Sequence, residues 1–289
     1  MIKNPLVTII INCFNGESYL KEAIESVYDQ TYDNWEIIFW DNCSTDNSSY
    51  IAKSFDNNLK YYLATEKTSL GEARNHALMK AKGDYVAFLD CDDLWLKHKL
   101  QSQIELLRNN GNDQIGFVYG RCELFFHNKE EKSKNYKQGE VLPSGKIFSL
   151  LIKENFISFL TAIIDRKKLI ECGGFPDEYM HAEDYWIFLN LSKKYDVRAT
   201  QEICSRYRIH DNNLSKQQYV LGAQETIEIV RKFLPDNLAM KALSYHYLNL
   251  SIAYFKEKKY ISSASILYKH NLWIFFIGRL FDQVKKFSF

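Results

Sequence analysis

Over the first 120 residues, short apolar runs alternate with segments in which apolar positions recur every three or four residues. Val7–Ile11, Trp35–Trp40 and Lys60–Leu63 predict strands. Between the first two, Leu20, Ile24 and Val27 stand at i, i+4 and i+7 and predict a helix with one apolar face. Asp46–Phe55 predicts a short helix capped by Ser44-Thr45-Asp46. Leu70–Lys82 predicts another, with Ala73, Ala77 and Ala81 on one stripe, small enough to pack closely on a sheet. Tyr85–Asp90 and Ile115–Tyr119 are further strands, with a helix through Leu100, Ile104 and Leu107 between them. Strands joined by helices of this length predict an α/β fold with a mostly parallel central sheet covered on both faces. Ligands of such sheets bind beyond the carboxyl ends of the strands. Asn12–Asn15, Asp41, and Asp90 with Asp92 stand at three such ends and are expected to converge on one crevice.

Farther on, the polar tract His127–Gly139 reads as a solvated loop or hairpin, and order returns at Ile147–Ile152 and Ile157–Ile164. After Ser215 the pattern changes to long helical segments, with Pro235-Asp236-Asn237 as a helix start. The expected division is a catalytic domain over 1–215, with a nucleotide-binding half to about 120 and an acceptor half beyond it. A helical region would occupy 216–289.

Composition narrows the function classes. A formal net charge of +1 with 25% charged residues gives no basic field for nucleic acid. Six cysteines, at least thirty residues apart and without a CxxC, read as buried thiols in a reducing compartment. The apolar run near the N-terminus covers only six residues, Leu6–Ile11, so it reads as a strand rather than a signal peptide. The run Leu272–Ile277 is far short of a membrane span, and the expected location is the cytoplasm.

The stretch GDYVAFLDCDDLWL runs five mostly apolar residues into Asp90, Asp92 and Asp93. In extended chain Asp90 and Asp92 point the same way and Asp93 elsewhere. Two hard oxygen ligands at a strand end suit Mg²⁺ or Mn²⁺ held jointly with substrate phosphates. The other reading is a solvated turn with helix-capping aspartates, and Asp93 taken alone fits it. No Walker loop accompanies them: GEVLPSGKI places five residues between its glycines and an isoleucine where Ser or Thr would bind magnesium. No GxG occurs, which removes the dinucleotide fingerprint.

VTIIINCFNGESYL, DNCSTDNS, SLGEARNHAL, GDYVAFLDCDD, ECGGFPDEYMHAEDYW and YRIHDNNLS, in this order, resemble family 2 glycosyltransferases of the GT-A fold across residues 5–215. The resemblance implies a Rossmann-like sheet that binds a nucleotide-sugar. It assigns Cys13, Phe14, Asn15 and Asp41 to the nucleoside, Arg74 to the nucleotide, Asp90 to the ribose or sugar, and Asp92 to a Mn²⁺ or Mg²⁺ ion. Asn12 and Cys13 stand where the family more often has Pro-Thr. Asp184 of the Glu183-Asp184 pair is the implied catalytic base, with Glu183 and Trp186 toward the acceptor. Out of context Asp184 reads as a helix N-terminal acid, Trp186 as a core aromatic and Gly173-Gly174 as a turn; the resemblance places the glycines against the donor sugar. His210 is either structural or a further metal ligand on a loop that folds over the donor.

Residues from Ala242 to Asn271 have the spacing of an antiparallel helical pair, like one tetratricopeptide unit. From Lys256 onward seven Lys or Arg stand against two acids, mixed with Trp273, Phe275, Phe276, Leu280 and Phe281. This predicts an amphipathic helix over about 264–289 on an anionic membrane surface, with a core-packing helix or dimer contact as the other reading. The expected function is metal-dependent, inverting transfer of a sugar from a UDP-sugar or related donor to a lipid-linked glycan of surface polysaccharide such as lipopolysaccharide or capsule. A nucleotidyltransferase or a non-catalytic sugar-nucleotide binder are the alternatives.

Overall fold

The computed structural model describes residues 4–109, 114–126, 134–135, 141–211, 213 and 218–277. Most of the predicted loop at 127–139 lies outside them, as does the predicted tail helix beyond residue 277. The chain divides into two compact units, residues 1–148 with 156–211 and residues 149–155 with 212–289.

In the first unit the order is β1 (Val7–Cys13), α1 (Leu20–Tyr28), β2 (Trp35–Asp41), α2 (Ser48–Lys53), β3 (Leu59–Leu63), α3 (Leu70–Lys80), β4 (Tyr85–Phe88), β5 (Leu94–Trp95), α4 (Lys99–Asn109), β6 (Ile115–Phe126) and β7 (Lys134–Asn135). Then come α5 (Phe148–Leu151), most of which belongs to the second unit, and β8 (Ile163–Asp165), α6 (Arg166–Glu171), α7 (Glu183–Lys194) and β9 (Asp196–Ile209). One sheet joins the strands in the order β3-β2-β1-β4-β8-β6-β9-β5, with β7 beside β6. β3, β2, β1 and β4 are parallel, as their apolar runs require. From β8 onward the sheet is mixed: β8 runs antiparallel to both β4 and β6, and β9 parallel to β6.

β1 is buried on both faces, with Val7, Ile9, Ile10 and Ile11 at no more than 1% exposure. Thr8 can sit among them because its hydroxyl donates to Glu36 at 2.8 Å, and Glu36 also accepts the Lys82 N–H and pairs with Lys60. α3 packs through Gly71, Ala73 and Ala77 and stops at Lys80, where Ala81 turns extended. Ser69 caps its other end by accepting from the Glu72 N–H. β9 is the largest departure from the periodicity reading. Its fourteen residues include five charged side chains and lack a clean alternation, so YRIHDNNLS begins inside a strand rather than a loop.

The second unit contains α8 (Tyr219–Arg231), α9 (Asn237–Lys256) and α10 (Tyr260–Lys269), followed by helical residues 273–277. Asp236 caps α9 by accepting from the Leu238 N–H at 2.7 Å. Leu248 and Ile252 of α9 meet Leu267 of α10 and Leu272 and Phe276 beyond it, while the Ser251 and Ser263 hydroxyls pair at 2.9 Å. The helical pair read from the sequence is therefore α9 with α10. Among the described residues no helix is long and apolar enough to cross a membrane.

At the entry to β4 the backbone leaves no room for a side chain. A Cβ on Gly83 would lie 2.6 Å from the Thr8 nitrogen and 2.7 Å from the Leu6 and Tyr85 oxygens. These are main-chain atoms of the sheet and cannot swing away, so G83A is expected to lower stability by about 3 kcal/mol. Urea denaturation of the purified variant checks this; an unchanged midpoint would show that β1 and β4 can spread.

Candidate active site

The chain leaves β1 for β2 and β3 on one side, then returns to β4 on the other. That reversal opens a crevice beyond the carboxyl ends of β1 and β4, and the sequence supplies polar residues at each end. β1 delivers Cys13, Phe14 and Asn15. Asn15 has φ +55°, a left-handed conformation that Asn tolerates better than most side chains. It is held from both sides: its N–H donates to the Ser44 hydroxyl at 3.0 Å, and its side-chain oxygen accepts from the Thr45 N–H at 2.8 Å. The β1 and β2 loops are thus tied together.

Asp41, 1% exposed at the end of β2, accepts from the Ser44 N–H and from the Tyr61 hydroxyl, both at 2.7 Å. The hydrogen bond to Asp41 and burial both push the Tyr61 phenol above its ordinary range, burial more strongly. Phe14 is 43% exposed and the Lys67 ammonium sits 3.4 Å from its ring centre. An aromatic face with a lysine against it thus follows the end of β1, beside the strand end that carries Asp41. Cys13 is buried, its thiol lowered chiefly by the Cys91 S–H and also by Ser48, the Gly16 N–H and Ser44, against burial.

The three aspartates follow β4 in a turn closed by the Asp93 N–H on the Asp90 carbonyl, rather than in the extended chain expected from the sequence. Asp93 is fully buried and points away from Asp92; its Oδ1 accepts from the Arg208 N–H at 2.8 Å. Burial, reinforced by Asp92 and Asp90, pushes its carboxyl well above the usual carboxylate range, with Arg208 opposing. It anchors the turn to β9 and caps no helix. Asp92 faces the crevice, where its Oδ2 lies 2.9 Å from the His210 Nε2. Arg208, 2% exposed, donates to the Asp92 carbonyl at 2.7 Å and to Glu22 at 2.7 Å, and its guanidinium lies between the Tyr19 and Phe125 rings. Two alternate residues at the end of β9 thus hold the turn (Arg208) and face it (His210).

Arg74 and Glu183 are placed together. Arg74 is 4% exposed, ion-paired with Glu183, which is 3% exposed, and within 3.3 Å of Asp90. Its guanidinium lies 4.5 Å from the Phe159 ring centre. These contacts engage Arg74 with two protein carboxylates, Asp90 and Glu183. Asp184, next on α7, has its carboxyl pushed up to about 7 by burial, then by the neighbouring Glu183 charge, with Arg74 opposing. Trp186, one residue after Tyr185 on the same helix, is half-buried with its ring 6.4 Å from that of Tyr179. Gly173 and Gly174 take φ values of +93° and +67° as α6 ends. A Cβ on Gly174 would meet the Asn75 side-chain oxygen at 2.7 Å, and Asn75 in turn bonds both the N–H and the carbonyl of Phe175. The glycines therefore fix the approach of this loop to α3.

Asp92 and His210 suit a Mn²⁺ or Mg²⁺ ion. Adjacent ligands of an octahedral ion bound at about 2.1 Å stand about 3 Å apart, and these two already do. Among the described residues no group of three or more His, Cys, Asp or Glu side chains could hold a metal, so the remaining ligands must come from substrate oxygens or water. Tyr61, Lys67, Glu22 and Arg208 were not singled out from the sequence. Arg208 lay within a quoted motif, but nothing local marks it as a partner of residues more than a hundred positions away.

A family model described as "Glycosyl transferase family 2" matches residues 8–173. WfgD of Escherichia coli, a UDP-Glc:alpha-D-GlcNAc-diphosphoundecaprenol beta-1,3-glucosyltransferase, is 34% identical over 251 residues, 86% of this chain and 94% of its own. Among solved structures, the mannosyltransferase PcManGT from Pyrobaculum calidifontis, in complex with GDP-Man and Mn²⁺, has a TM-score of 0.67 at 17% identity, covering 99% of this chain and 87% of that one. S. aureus TarS 1–349 in complex with UDP-GlcNAc has a TM-score of 0.63 at 18% identity, covering 89% and 72%. Those two likenesses establish the fold, and the family match and the WfgD identity establish the class of enzyme. The chain belongs to glycosyl transferase family 2 and is a glycosyltransferase with the GT-A fold.

Proposed function

We propose that this glycosyltransferase takes a UDP-sugar as donor, works with Mn²⁺ or Mg²⁺, inverts the anomeric centre, and extends a lipid-linked acceptor in surface-polysaccharide assembly. The observation that carries the reading is the convergence, at one switch point, of Asp92 with His210, of Arg74 with Asp90 and Glu183, and of Asp184 with its raised carboxyl. WfgD, which uses UDP-Glc and an undecaprenol-linked acceptor by name, supports the choice of donor and acceptor class.

In this reading Phe14, Asn15 and Asp41 receive the nucleoside, with Asp41 fixing the loop through Ser44 and Tyr61. Asp92 and His210 would hold the cation, which supplies positive charge beside the departing diphosphate. Asp184 accepts the proton of the acceptor hydroxyl as that oxygen attacks the anomeric carbon, and attack opposite the leaving group inverts the centre. A base poised near 7 suits work near neutral pH. Arg74 keeps Asp90 and the start of α7 in place through Glu183. A nucleotidyltransferase would leave Asp184 and His210 without work. A non-catalytic binder has no use for a poised base.

Removal of the base tests the reading directly. D184N is expected to lose about a thousandfold in turnover with an undecaprenyl-diphosphate-linked sugar acceptor, while Mn²⁺-dependent affinity for the UDP-sugar stays near wild type. Retained turnover would remove Asp184 from the chemistry, and loss of donor affinity would move it to the donor site.

The pH dependence has a definite sign. Asp184 must be ionised to act, so kcat/KM should rise with pH through about 7 and level off above it. E183Q removes the negative charge that helps hold the Asp184 proton and should move this rise to lower pH. A rise fixed in position would make Glu183 irrelevant to the titrating group.

The second unit supplies the proposed membrane contact. Ile261, Tyr268, Ile274 and Phe275 are 64–88% exposed, and four lysines stand against the single acid Glu257 over residues 256–277. Exposed apolar side chains among lysines fit an anionic lipid surface. The double variant I274E/F275E should co-float with phosphatidylglycerol vesicles at least fivefold less than wild type. Equal flotation would point instead to a protein contact for these residues.

A further inference from the structure

The two thiols that flank the crevice are not used by the proposed mechanism. Cys13 ends β1, and Cys91 sits between Asp90 and Asp92. At the end of β4 the Leu89 N–H donates to the Ile10 carbonyl, and the chain then turns, the Asp93 N–H donating to the Asp90 carbonyl, so Cys91 lies in a turn that follows the end of β4. The Cys13 and Cys91 side chains turn toward each other. Both sulfurs lie within 3 Å of one point, the position a Cβ on Gly16 would take: Cys91 Sγ at 2.7 Å and Cys13 Sγ at 2.9 Å. Only the absence of a side chain at Gly16 lets the two thiols share that space. Cys91 is half-buried, so a small oxidant can reach the pair from the crevice side, while Cys122 and Cys204 are buried.

We propose that Cys13 and Cys91 form a reversible disulfide that switches donor binding off. The oxidant is a peroxide: two S–H bonds break, one S–S bond forms, and the two electrons and two protons convert one hydrogen peroxide to two waters. A thiol reductant reverses the step through a mixed disulfide. Bonded sulfurs stand about 2.05 Å apart with a Cβ–S–S–Cβ dihedral near about 90°, so closing the bond re-aims both side chains and draws the turn at Cys91 onto the end of β1. Asp90 and Asp92 flank Cys91 and move with it. The contact of Asp90 with Arg74 and that of Asp92 with His210 then lose their alignment. The effect on donor binding rests on the nucleotide reading of the crevice; the bond itself does not.

The test uses the full chain, reduced, then treated with hydrogen peroxide and quenched with catalase. Non-reducing peptide mapping by mass spectrometry is expected to find a peptide linking Cys13 to Cys91, two hydrogens lighter than the reduced pair. Mn²⁺-dependent UDP affinity is expected to fall at least tenfold and to return with dithiothreitol. C91S and C91A should both keep donor affinity after peroxide. Failure to find the linked peptide, with both thiols alkylated or capped separately, overturns the proposal. A linked peptide with unchanged affinity overturns the switch. A reduced protein that binds no nucleotide, yet forms the bond, overturns the donor reading and leaves the bond standing.

Discussion

Much of the crevice depends on compensating one buried guanidinium. Arg74 lies on α3, 4% exposed, and its charge is met by Glu183 at the start of α7 and Asp90 beyond β4. Removing one partner of such a pair leaves an uncompensated buried charge and costs about 3–5 kcal/mol. The pair therefore constrains three elements that are up to 109 residues apart. α7 can begin only where Glu183 reaches Arg74, and Asp184 is then fixed by its place next in sequence. The same contact explains the base: Arg74 lowers and Glu183 raises the neighbouring carboxyl, and burial tips it to about 7. Position and protonation of Asp184 come from one interaction.

Arg208 has the corresponding role on the other side. Its side chain meets the Asp92 carbonyl and Glu22, while its main-chain N–H meets Asp93. The turn after β4 is thus held by β9 from beneath, and His210, two residues on, emerges on the same side of that strand. On the proposed reading a rigid turn matters because Asp92 and His210 come from distant segments and would otherwise pay an ordering cost when a cation bound.

The sequence made the local signals plain and hid the distant ones. The apolar run from Tyr85 to Leu89 entering three acids marks a strand end at a site, because burial and clustered charge conflict unless something positive is near. Strand alternation set Asp92 apart from Asp93 in the sequence, but in the structure it is a turn that separates them. The small-residue stripe of α3 marked its packing face, but not that Arg74, on the same helix, would be drawn inward. Nothing within SLGEARNHAL distinguishes an arginine aimed at a phosphate from one aimed at Glu183. β9 escaped periodicity because its charged residues are satisfied singly by neighbours such as Glu123 and Glu22, so the strand carries no alternating apolar face. Its motif was visible while its secondary structure was not.

Charge balance explains why the acids need company beyond the protein. Asp90, Asp92, Glu183 and Asp184 stand around the strand ends, with the Asp93 carboxyl pushed upward by burial, and Arg74 is already engaged by two of them. Arg208 is engaged by Glu22. A nucleoside diphosphate would bring further negative charge into this setting. Lys67 stands over Phe14, on the nucleoside side. His210 can add a charge only if protonated. The field of the crevice is therefore unfavourable to the donor until positive charge is added beside Asp92, which is the physical argument for a divalent cation entering with the nucleotide. On the proposed reading, this cluster of acids would disfavour a bare diphosphate and favour one accompanied by a divalent cation.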